Sequence, residues 1–124
     1  MTVQAEVGTI FNLMGCNRNY PDGVISFDES SALEQVVLSI TFTEWTFLSA
    51  IWLDMINATQ DITIRSKYKI DGANYRTFDN GLWTFGVSDV GQYAGGGIFK
   101  HDFQMTMQCG GAGVGVISIP YSMV

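Results

Sequence analysis

The sequence predicts an all-β chain, an antiparallel sandwich of short strands, and three observations carry that prediction. Over Ile62 to Ile70, residues Ile62, Ile64, Ser66, Tyr68 and Ile70 fall on one side and Thr63, Arg65, Lys67 and Lys69 on the other. That period of two marks a strand with one buried and one wet face. Asp71-Gly72 follows at once, a pair that supplies the positive φ of a tight turn. Runs of the same kind recur along the chain between clusters of Gly, Asn, Asp and Pro, the spacing of a sandwich. Strands with one wet face belong to antiparallel sheets, not to parallel sheets covered on both sides.

The elements follow in order. Val3 to Met14 reads as a first strand broken by Gly8, and Cys16 to Gly23 as a loop rich in Asn, Asp and Pro. Val24 to Phe27 is a short strand. Asp28 to Gln35 holds one helical turn, with Ser31-Ala32-Leu33-Glu34 as its capping box. Val36, Leu38, Ile40 and Phe42 then alternate with Val37, Ser39, Thr41 and Thr43 as a second clear strand. Glu44 to Met55 fits a helix face or a strand; its Trp, Phe and Ile content favours strand. Asn57 to Asp61 is a turn. Tyr75 to Phe78 returns antiparallel to Ile62–Ile70, Asp79-Asn80-Gly81 turns again, and Leu82 to Phe85 is a short strand. Gly86 to Gly97 reads as a loop. Phe103, Met105, Met107 and Cys109 alternate with Asp102, Gln104, Thr106 and Gln108. Gly110 to Gly115 is a turn. Val116 to Val124 is the last strand, placed at an edge or made irregular by Pro120. The sum is about eight or nine strands in a jelly-roll or Ig-like sandwich.

With 124 residues, the chain is a single domain, 1–124, large enough to fold without metal or disulfide. Charged residues make up 15%, against about 25% in ordinary soluble domains. So few charges leave the surface to Thr, Ser, Asn, Gln and Gly, or to burial against other subunits. The second reading predicts a homo-oligomer. Six basic residues and a net charge of −6 exclude a phosphate-tracking groove, so no nucleic acid is expected as partner. Arg65, Lys67 and Lys69, the one basic cluster, are the wet face of their strand. The apolar stretch from Trp45 to Leu53 is too short to cross a bilayer, so no membrane association is expected. Thr2 to Glu6 has neither the basic start nor the apolar core of a secretory leader. The expected location is the cytosol, or a particle assembled there.

Catalytic patterns are missing. Cys16 and Cys109 fit no zinc or redox spacing. They read as two buried free thiols, with a disulfide as the alternative. His101 has no sequence-defined partner to orient it as a general base. Gly110 to Gly115 lacks the Lys-Ser/Thr of a phosphate loop, and Asp79-Asn80-Gly81 lacks the remaining ligands of a calcium loop. No cofactor, metal or enzymatic activity is expected. Asn57-Ala58-Thr59 is a glycosylation sequon, relevant only on a eukaryotic secretory route. Most of the three Trp, five Tyr and eight Phe residues belong in the core. Trp83 and Tyr93 lie beside Gly-rich turns and are candidates for exposed contact; Tyr75 and Arg76 join them as candidate partner or ligand contacts.

The stretch from Ile51-Trp52-Leu53-Asp54 through Thr59-Gln60, Ile62-Thr63-Ile64-Arg65 and Lys69-Ile70-Asp71-Gly72 to Asn74-Tyr75-Arg76 resembles small β-sandwich structural proteins of viruses and tailed phages. The alternating strand Phe103 to Gln108, the small-residue turn Gly110 to Gly115 and Ile119-Pro120-Tyr121 continue the likeness, which covers about half of the chain and none of residues 1–45. The resemblance implies a non-enzymatic virion component, made in the host cytoplasm. It would self-associate and contact a capsid or tail protein, as a capsid decoration or tail part. The alternative is a carbohydrate-binding module that presents exposed aromatics to a glycan.

Overall fold

The computed structural model describes residues 22–123. The predicted strand Val3–Met14, most of the loop Cys16–Gly23 and Cys16 itself lie outside the described residues. Eight strands are found among those described: β1 (Gly23–Asp28), β2 (Gln35–Ile40), β3 (Thr46–Asp54), β4 (Ile62–Lys69), β5 (Tyr75–Trp83), β6 (Gly91–Phe99), β7 (Phe103–Cys109) and β8 (Val116–Met123). All pairings are antiparallel. The chain pairs β1 with β8, β2 with β7, β3 with β6 and β4 with β5. It is therefore one long hairpin, with its tip at the β4–β5 turn, rolled over on itself. Rolling lays the strands into two four-stranded sheets, β1-β8-β3-β6 and β2-β7-β4-β5. That nested order is a jelly roll rather than an immunoglobulin sandwich.

The alternation seen in the sequence fills the space between the sheets. Phe27, Leu48, Ile51, Ile62, Phe103, Met105, Met107 and Ile119 are fully enclosed. At one end the rings of Phe99 and Phe103 meet at 5.3 Å and those of Tyr68 and Phe99 at 4.9 Å, the edge-and-face spacing that aromatic pairs favour. Gly72, at φ 80°, makes the predicted β4–β5 turn. The Asp71 carboxylate accepts the Ala73 and Asn74 amides. Hydrogen bonds from the Asn74 side chain and amide, with that of Ala73, hold Asp71 well below the usual carboxylate range.

Several expectations are corrected. Asp28 to Gln35 holds no helical turn. The Asp28 amide donates to Gln35 Oε1 at 3.0 Å, and Gln35 Nε2 donates back to the Asp28 carbonyl at 2.8 Å, closing a loop by side chain. Ser31 Oγ accepts from Leu33, two residues on, where a capping box would reach three. Asp79-Asn80-Gly81 is not a turn. These residues face Ser66, Arg65 and Ile64 of β4, and a bulge at Phe78 takes up the register shift. Tyr75–Phe78 and Leu82–Phe85 thus merge into one nine-residue β5, which ends at Trp83. Nor is Gly86 to Gly97 all loop, since Gly91–Phe99 pairs with β3 along its length. A Cβ at Gly96 would overlap the Leu48 carbonyl, so that glycine permits close backbone approach. In β2 a bulge at Val37 breaks the predicted alternation. Val36 is left 56% exposed, while Val37 and Leu38 both pack on the core. Ile70, expected on the buried face, is in the turn and exposed.

The wet face of β4 is not bare. Glu34 reaches Lys67 Nζ at 2.6 Å and Arg65 at 3.5 Å, and Asp102 takes Lys69 Nζ at 3.1 Å. Cys109 is a buried free thiol directed at the Glu29 and Ser31 carbonyls. No helix of the described residues is long and apolar enough to cross a membrane.

Candidate functional site

A concavity on the surface follows from a fork in the first sheet. β8 pairs with β1 over residues 116–121 but with β3 only over 121–123. Below Tyr121 the two strands diverge, and the loop after β3 closes the gap again where Asn57 Nδ2 donates to the Ser118 carbonyl at 3.0 Å. Pro120 is the first residue outside the β3 ladder, a place where its missing N–H breaks no bond to β3. The edge or irregular position expected for it is thus a local one, inside a strand that has neighbours on both sides.

A groove of about 560 Å³ lies at this fork. Trp52, Pro120, Tyr121 and Val90 give it apolar walls, and Asp22 and Asp54 bring carboxylates to it. Each is placed by strand periodicity. Trp52 and Asp54 alternate outward on β3 between buried Ile51 and Leu53, about 7 Å apart along the strand. Gly23 stands opposite Tyr121, and a Cβ there would overlap the tyrosine ring; glycine lets that ring lie across the start of β1. Asp54 Oδ1 accepts the Ile56 amide at 3.1 Å, which fixes the carboxylate at the end of the strand. On its other side Trp52 faces Tyr93 of β6. The two rings meet at 5.4 Å, tilted by 51°, and stay 51% and 67% exposed. Among the described residues no Lys, Arg or His lines the groove.

The four residues singled out from the sequence do not form one site. Tyr93 is exposed as expected and belongs to the aromatic surface beside the groove. Trp83 is only 3% exposed, and its indole donates to the Asp89 carbonyl at 2.8 Å. It is a core residue that ties down the β5–β6 loop, not a contact residue. Tyr75 is half-buried with Lys69 Nζ at 4.9 Å from its ring centre. Exposed Arg76 follows it at the start of β5, a strand length away from Trp83. Trp52, not among the four, is the exposed aromatic that lines the groove. Its signal in the sequence is its alternation with Asp54: a tryptophan in phase with a carboxylate faces outward.

Elsewhere chemistry is sparse. His101 stacks on Tyr68 at 6.2 Å. Glu29, 1% exposed, accepts the Thr59 amide at 3.0 Å and hydroxyl at 2.8 Å, and so locks two loops together. Among the described residues no three His, Cys, Asp or Glu side chains group to hold a metal ion. No protein-family model, curated protein or solved structure matches this chain.

Proposed function

We propose that the chain is a non-enzymatic, self-associating structural component of a viral particle, decorating a capsid or forming part of a tail. The observation that carries this reading is the surface. Trp45, Ile56, Leu82, Phe85, Val87 and Ile98 are all exposed in the single chain, and only 15% of residues are charged. Large exposed apolar side chains with so few charges among them fit a surface that is covered in an assembly. β5 adds a second reason. From Arg76 to Leu82 every residue is exposed, and among the described residues its backbone pairs only with β4. A long open edge of this kind is a pairing surface unless something covers it. Leu82, Phe85 and Val87 extend it at the β5 end. Jelly rolls serve as viral capsid domains, lectins and cupins; the architecture selects none of these by itself, and the surface and the resemblance favour the first.

Native mass by light scattering behind size exclusion, at two concentrations, tests the reading. A closed oligomer or larger particle is expected, and the double substitution Leu82→Glu, Phe85→Glu lowers its mass while leaving the circular dichroism unchanged. A monomer at both concentrations overturns the proposal.

A further inference from the structure

The groove at the β3–β8 fork binds nothing in the reading above, and its chemistry is specific. We propose that it is a binding site for a neutral saccharide. The argument starts from Trp52. Its half-exposed indole offers a ring face whose negative quadrupole attracts the weakly positive C–H face of a pyranose. Tyr93, opposite it on β6, packs against the indole at 5.4 Å with the rings tilted by 51°, and so steadies Trp52 beside the groove. Asp54, one outward repeat along β3 from Trp52, and Asp22 bring carboxylate oxygens to the groove. Asp54 is held at Oδ1 by the Ile56 amide, so Oδ2 is left to accept from sugar hydroxyls, in bonds strengthened by its charge. Pro120 and Val90 supply the remaining apolar wall.

Charge settles the class of sugar. With two carboxylates and, among the described residues, no cation at the groove, and a net charge of −6 on the chain, phosphate, sulfate, sialic and uronic acid groups are repelled. A neutral hexose or N-acetylhexosamine remains. The groove is lined by Trp52 and Asp54 on the β1-β8-β3-β6 sheet, whereas Leu82, on the other sheet, shares a second hollow with Tyr93. Substitutions at Trp52 or Asp54 therefore separate sugar binding from self-association.

The test is an array carrying neutral, sialylated and sulfated glycans, followed by saturation-transfer NMR of the strongest neutral glycan with the full chain. Neutral glycans are expected to bind, with transfer strongest at the C–H protons of one ring face. Trp52→Ala weakens binding by about tenfold or more, Trp52→Phe restores part of it, and Asp54→Asn weakens it while the fold, read by circular dichroism, is unchanged. Leu82→Glu, Phe85→Glu leaves sugar binding intact whatever it does to native mass. A silent array overturns the proposal, as does preference for anionic glycans or binding indifferent to both Trp52→Ala and Tyr93→Ala. So does a Trp52→Ala variant that loses native mass with no glycan bound, which would assign the groove to a second copy of the chain.

Discussion

Glu34 shows how much one side chain can rearrange a face that the sequence describes correctly. The alternation of Arg65, Lys67 and Lys69 was legible, because it is local. Their partner was not, because Glu34 lies on the β1–β2 connection and reaches β4 across β7 through Lys67 and the Thr106 hydroxyl. The hydrogen bond from Lys67, then that from Thr106, holds the Glu34 carboxyl below its usual value. A lowered native pKa contributes stability above the ordinary carboxylate range, and that contribution fades as pH falls through the native value. The pair is partly solvated, with side chains 21% and 34% exposed, so the gain is modest. Glu34→Gln is expected to lose up to about 1 kcal/mol at neutral pH, and the difference from wild type should vanish in acid. Urea unfolding of both proteins across the acid range reads this out; a difference that stays constant down to the lowest pH would contradict it. Trp83 fails in the opposite direction. Its glycine-rich neighbourhood suggests exposure, yet the bond to the Asp89 carbonyl needs the indole turned inward.

At the scale of elements, strands with strict alternation were readable and strands rich in turn residues were not. β4 and β7 announce themselves by alternation, although Thr106 of β7, in phase with Gln104 and Gln108, is buried where its hydroxyl donates to Glu34. β6 does not, since Gly95-Gly96-Gly97 offers no side chains to alternate and glycine is a poor strand former. What makes it a strand is contact invisible in its own sequence: the ladder to β3 and the bond from the Gly95 amide to Asp79 Oδ2 at 3.0 Å. The same bond helps explain why Asp79-Asn80-Gly81 stays extended. Gly96→Ala tests this account. Its Cβ would collide with the Leu48 carbonyl, and backbone cannot swing aside as a side-chain tip can. The expected cost is about 1–3 kcal/mol, the range for overpacking, with faster amide exchange in both β3 and β6. Gly91→Ala, in the same strand with open space at its Cβ, is the control and should cost little. Equal losses at the two positions would show that glycine matters there for conformation and not for proximity.

For the whole molecule, the sandwich was legible because periodicity and turn spacing are summed over the chain. The fork that makes the groove was not. It depends on β8 changing neighbours at Tyr121, a long-range register that no local pattern encodes. Scale also sets how the proposed assembly should answer to salt. Each copy carries a net charge of −6, so like charges oppose association at long range. The proposed contacts, the β5 edge with Leu82, Phe85 and Val87, are apolar and backbone groups that salt does not screen. Raising ionic strength from about 0.01 M to about 1 M shortens the screening length from about 30 Å to about 3 Å. Repulsion fades while the attractive part is unchanged or strengthened. Native mass at fixed protein concentration is therefore expected to rise with salt or to stay at its limit. An assembly built on ion pairs would behave in reverse and dissociate. Light scattering at the two salt concentrations distinguishes them, and a fall in mass at high salt would remove the β5 surface as the contact that holds the copies together.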